Sequence, residues 1–169
     1  MTTSNEVSGG ADRRVLSMLV EDHPGVLSRV SGMIRRRGFN VHGLSVGPID
    51  DRGRSRMTLS VDAGHAEVDQ IEKQLDRLIE VIAVDDLTDR PNFNRELALI
   101  KVEIEPSQRG AVVEMLSASD CRVLSQDDGQ VMAQFAGEFG GVERIVGDLR
   151  RFGRVELARS GPVAMARGE

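Results

Sequence analysis

The run RVLSMLV, Arg14 to Val20, is short, apolar and suited to a buried strand, and GVLSRVSGMIRRRG after it sets Val26, Leu27, Val30, Met33 and Ile34 at helical spacing. Gly38 stops that helix by taking a left-handed cap. Arg35, Arg36 and Arg37 sit in its last turn, where cations meet the negative end of the helix dipole, so a solvated helix end is expected. NVHGLSVGPI alternates Val41, Gly43 or Leu44, and Val46 with polar residues, and SRMTLSVD alternates Met57, Leu59 and Val61. A period of two predicts strands, and the Asp-rich, Gly-containing DDRGR between them predicts a hairpin. HAEVDQIEKQLDRLIE carries Val68, Ile71, Leu75 and Leu78 among charges, which predicts an amphipathic helix, and VIAVDDL follows as a strand. The order β-α-β-β-α-β is that of the ferredoxin-like split, two helices on one face of a four-stranded antiparallel sheet.

The pattern then repeats. TDRPNFNRE has Pro91, two Asn and no apolar period, and reads as a linker. LALIKVEIE predicts a strand, SQRGAVVEMLSAS a helix with Val112, Val113 and Leu116 inward, and CRVLSQ and QVMAQFAG two strands around the turn DDG. GVERIVGDLRRFG spaces Val142, Ile145, Val146 and Leu149 as a helix, and VELARSGPVAM closes as a strand that Pro162 interrupts or confines to an edge. The expected organisation is therefore a disordered leader over 1–12, a domain over 13–88, a linker over 89–95 and a second domain over 96–169. The fold class is α+β, two tandem ferredoxin-like βαββαβ domains. Domains this small gain stability from pairing.

Composition narrows the function. With 40% hydrophobic and 29% charged residues the chain is globular. No apolar run approaches the ~20 residues that cross a bilayer, and the first residues lack the apolar centre of a signal peptide, so no membrane association and a cytoplasmic location are expected. A net charge of -5 disfavours nucleic acid as a partner. An RNA-recognition use of this element order also needs sheet aromatics, and the chain has five Phe with no Trp or Tyr. Cys121 alone forms no internal disulfide and reads as an apolar strand position; His23, His42 and His65 show no metal-ligand spacing. Asp50-Asp51, Asp85-Asp86 and Asp127-Asp128 fall at turns or strand ends, where Asp bonds locally. No nucleophile, base and oxyanion donor assemble, so no catalytic and no metal residue is assigned. An acylphosphatase-like loop would have to be positive where EDHPG is acidic.

VEDHPGVLSRV, Val20 to Val30, is the candidate binding element. A strand, a turn at Asp22-His23-Pro24-Gly25 and a helix leave the first helical N–H groups pointing at the turn, a ready carboxylate site favoured by the helix dipole. Gly25 admits a ligand close to the backbone, and Asp22 can face an ammonium group. Together they would hold both charged ends of a free amino acid. The same residues also make an ordinary helix start, with Asp22 as cap and Pro24 in an early helical position. Both readings stand on these residues.

DHPGVLSRV, RRGFNVHGLSVG, SRMT, EKQL with VIAV, RELALIKV and the terminal VELARSGPVAMARG occur in this order, and with them the chain resembles the small regulatory subunit of acetohydroxyacid synthase, also called acetolactate synthase, from about Arg13 to Gly168. The resemblance implies an N-terminal ACT domain and a C-terminal ACT-like ferredoxin domain in a subunit that is not an enzyme. It implies binding to the large catalytic subunit, activation of it, and feedback inhibition by valine or another branched-chain amino acid. No cofactor is expected in this chain; thiamine diphosphate, magnesium and FAD belong to the large subunit. Carried over by position, the effector site uses Asp22, Gly25, Val26 and Leu27 from one ACT domain and Asn40 and Val41 from the facing domain of a homodimer, with Ser28 near the site. Family members often have Asn where this chain has Asp22. A stand-alone ACT sensor acting on another partner is the alternative.

Overall fold

The structure, a computed structural model, describes residues 13–138 and 140–168. The expected leader over 1–12 lies outside the described residues. The chain divides into two compact units between Arg90 and Pro91. The first runs β1 (Arg13–Glu21), α1 (Val26–Arg36), β2 (Val41–Asp50), β3 (Arg54–Asp62), α2 (His65–Leu75) and β4 (Val81–Asp86). Its sheet order is β2-β3-β1-β4, antiparallel throughout. Leu16 and Met18 of the central β1 lie opposite Leu59 and Met57 of β3. Against them α1 lays Val30, Met33 and Ile34, and α2 lays Val68, Ile71 and Leu75, in one apolar cluster. Each fully buried side chain of this kind is worth on the order of 2 kcal/mol. β2 and β4 are the edges.

The second unit repeats the plan with β5 (Asn92–Glu103), α3 (Arg109–Ala118), β6 (Cys121–Gln126), β7 (Gln130–Glu138), α4 (Gly141–Leu149) and β8 (Val155–Ala166), in sheet order β6-β7-β5-β8. Ile100, Val102, Val112, Leu116, Val131, Ile145 and Leu149 form its core. The α+β class with two βαββαβ units is thus the one that the apolar spacing predicts.

Two boundaries differ from the sequence reading. α2 ends at Leu75, and Leu78 reaches the core from a turn in which its N–H donates to the Leu75 carbonyl at 2.9 Å. Apolar residues three apart fit such a turn as well as a helix. β5 begins at Asn92, so 92–95, expected as linker, pair with Val163–Ala166 of β8. Of the two outcomes expected for Pro162, the edge is the one found: β8 is an edge strand, and Pro162 lies opposite Glu96, beside Gly161 (φ 75°) and a register shift in the ladder. The missing proline N–H costs no ladder bond at such a place.

Candidate functional site

The turn between β1 and α1 is built by the backbone. The Asp22 N–H donates to the Gly53 carbonyl at 2.7 Å, which seats the turn beside the β2–β3 hairpin. Gly25 is the N-cap of α1 at φ 101°, and among the described residues no side chain caps this helix. Asp22 therefore does not act as its cap, and Pro24 precedes the helix, so the ordinary helix-start reading does not describe this turn. A Cβ at Gly25 would meet nothing within 4 Å, so the turn is open above it. The Leu27 and Ser28 N–H groups make no hydrogen bond among the described residues, and the first turn holds no acid. Two free donors at the positive end of a helix dipole suit a carboxylate. Asp22 is exposed, and its carboxylate has no partner among the described residues. His23 bonds back to Glu21 at 3.2 Å and to the Pro24 carbonyl.

Val26 and Leu27 separate here. Val26 is buried in the first core and anchors the turn, whereas Leu27 is 46% exposed on the free side of α1. Ser28, one position on, is exposed.

Asn40 and Val41 lie at the other end of α1. They line an open groove of about 570 Å³ with Ser31, Ile34, Phe39 and Leu44, on the helix side of the edge strand β2. Val41 is 43% exposed there. The Asn40 amide nitrogen stands 3.5 Å from both Asp62 Oδ2 and His42 Nε2, and His42 Nε2 lies 2.5 Å from the same Asp62 oxygen. The bond from His42 foremost, with help from Asn40, holds the Asp62 carboxyl below the usual carboxylate range. α1 has 11 residues, and at 1.5 Å per residue its ends are about 16 Å apart. One free amino acid cannot bridge that span within a single copy.

The other chemistry-bearing residues serve turns and packing. Asp50 accepts from the Arg52 N–H and from Arg54, Asp86 from the Thr88 N–H and hydroxyl, Asp127 from Gln130, and Asp128 from Arg109. Cys121 is buried, and burial pushes its thiol up. The arginines at the end of α1 are exposed, and the Gly38 N–H closes on the Arg35 carbonyl at 3.1 Å. Among the described residues no group of His, Cys, Asp and Glu is arranged for a metal, and no helix is long and apolar enough to cross a membrane. The side chain of His65 lies outside the described residues. Sequence reading missed Gly53, which receives the turn, the Asp62–His42 pair behind Asn40, and the buried Glu80. The alternation of β3 carries a signal for Asp62, the polar residue that follows Val61 at the strand end.

Comparison with known proteins covers both units. Residues 16–83 match the AHAS small subunit-like ACT domain, and residues 95–168 match the small subunit of acetolactate synthase. The chain is 40% identical over 153 residues to the acetolactate synthase small subunit of Mycobacterium bovis, covering 90% of this chain and 91% of that one. It is 37% identical over 162 residues to that of Mycolicibacterium smegmatis, covering 96% and 95%. Among solved structures it is similar to the acetolactate synthase small subunit of Thermotoga maritima, with a TM-score of 0.81, 29% identity and coverage of 94% and 99%.

Proposed function

The chain belongs to the acetolactate synthase small-subunit family, and from this premise we propose that it is a non-catalytic regulatory subunit that activates the catalytic large subunit and confers feedback inhibition by valine. Thiamine diphosphate, magnesium and FAD then belong to the large subunit. The observation that carries the effector reading is the open, uncapped turn at one end of α1 and the groove lined by Asn40 and Val41 at the other.

Two copies complete the site. β2 is an edge strand whose far end meets the hairpin that seats Asp22. Antiparallel pairing of β2 with its own copy sets the start of one strand beside the end of the other. Asn40 and Val41 of one copy then approach Asp22, Gly25 and Leu27 of the second. There the Leu27 and Ser28 N–H groups take the valine carboxylate, Asp22 takes the ammonium group, and Leu27 and Val41 flank the isopropyl group. Asn40 supplies both donors and an acceptor. Val26, being in the core, holds the turn rather than the ligand. For valine to inhibit, it must bind the inhibiting arrangement of the assembly better than the activating one.

The test is a reconstituted enzyme with the Gly25→Asp subunit. A carboxylate placed at the carboxylate site excludes the ligand by repulsion and bulk, so activation is expected to persist and valine inhibition to vanish. Full valine sensitivity in this variant would remove the site from this turn. A wild-type subunit that binds a branched-chain amino acid without activating a large subunit would instead make it a stand-alone sensor for another partner.

A further inference from the structure

Both flanks of the ligand turn lead to one acid. Glu80 lies just before β4 with its side chain 5% exposed. Its carbonyl accepts the Glu21 N–H at 2.9 Å and so fixes the last residue of β1. Its carboxylate Oε1 pairs with Nη1 of Arg29. The Arg29 N–H in turn donates to the Gly25 carbonyl at 3.0 Å and closes the first turn of α1. Helical side chains lean toward the helix N-terminus, so the Arg29 stem crosses that first turn on its way to Glu80. The residues between these two anchors are exposed from Asp22 to Gly25, and Gly25 restrains its neighbours least of all.

We propose that Arg29 and Glu80 are positioning residues for the effector: their ion pair clamps the β1–α1 turn and sets the direction of the Leu27 and Ser28 N–H groups. This rests on the effector reading above. The clamp holds the turn before the ligand arrives, and such preorganisation removes an ordering cost from binding. The Arg29 side chain is 59% exposed, and an ion pair so open to solvent is a poor device for stability alone.

The test is calorimetry of valine binding to the full-length subunit, with thermal unfolding of each variant alongside. The double substitution R29M and E80Q leaves no unpaired buried charge and keeps the carbonyl of residue 80, so the fold is expected to survive. Its valine dissociation constant is expected to rise about tenfold, the loss of roughly one ordered contact's worth of preorganisation. R29K preserves the single contact with the acid and is expected to bind within about threefold of wild type, on the same scale. A folded double variant that binds valine as wild type does overturns the clamp, and so does an R29K variant as weak as the double one. Wild-type protein that gives no heat with valine, leucine or isoleucine overturns the effector reading itself, a result distinct from either.

Discussion

At the scale of single residues, Gly25 carries two constraints that substitutions can separate. Its φ of 101° lies in the left-handed region, and no atom stands within 4 Å of an added Cβ, so the cost of any side chain there is backbone strain rather than collision. Gly25→Ala is expected to lose about 1–2 kcal/mol of stability, read from a denaturant midpoint, and to keep a measurable heat of valine binding. Gly25→Asp is expected to lose as much stability and also the heat. Equal loss of binding in both would assign the effect to the backbone and not to charge. Glu72 on α2 offers a pH test. Its carboxyl is pushed up, first by burial, then by the charges of Asp86, Asp69 and Asp85, against an opposing contribution from Arg90. A folded value above the unfolded one means that its contribution is intact at low pH and is lost as the pH rises through the folded value. Glu72→Gln is therefore expected to raise the thermal midpoint at neutral pH and to change it little below about pH 4, where the acid is protonated in either state. A gain of the same size at both pH values would rule out ionisation as its cause.

At the scale of elements, the proposed assembly rests on β2. It is an edge strand, and Val41, Val46 and Ile49 on it are each more than 40% exposed. Val46→Glu puts a charge in the middle of the proposed seam, at a position that is 47% exposed and lies beside core Met57. Sedimentation is expected to show a monomer, the chain to remain folded, and valine binding to be abolished with the dimer. A dimer that persists with full binding would move the seam away from β2. The element order itself was legible because each half-buried strand and each amphipathic helix has its own period: Met57, Leu59 and Val61 every second residue, Val30, Met33 and Ile34 along one helical face. What was not legible depends on partners distant in sequence. Asn92 to Arg95 carry no apolar period, yet their backbone pairs with residues some seventy positions away. Leu78 kept the helical spacing after the helix had ended. At the turn, the sequence offers Asp22 as cap, and only the geometry gives that role to Gly25 and leaves the Asp22 carboxylate free for other use. The buried acid Glu80 was hidden because nothing local distinguishes it from the charged face of α2.

At the scale of the molecule, each unit encloses its own apolar cluster, and the two share no residue. Ligand that binds one folded unit stabilises that unit by mass action, about 2.7 kcal/mol at a hundred times the dissociation constant. The effector reading places valine on the first unit alone. Leu59 is fully buried in the first core and Ile100 is 1% exposed in the second. Leu59→Ala and Ile100→Ala each remove a branched side chain from a packed interior, at a cost of about 2–5 kcal/mol. Calorimetric unfolding of the two variants is expected to resolve which transition belongs to which unit, since each substitution lowers one and spares the other. Valine added to wild type is then expected to raise the transition that Leu59→Ala lowers and to leave in place the one that Ile100→Ala lowers. If valine raises only the second transition, the effector is held by the C-terminal unit, and the division of labour between regulation and activation is the reverse of the one proposed.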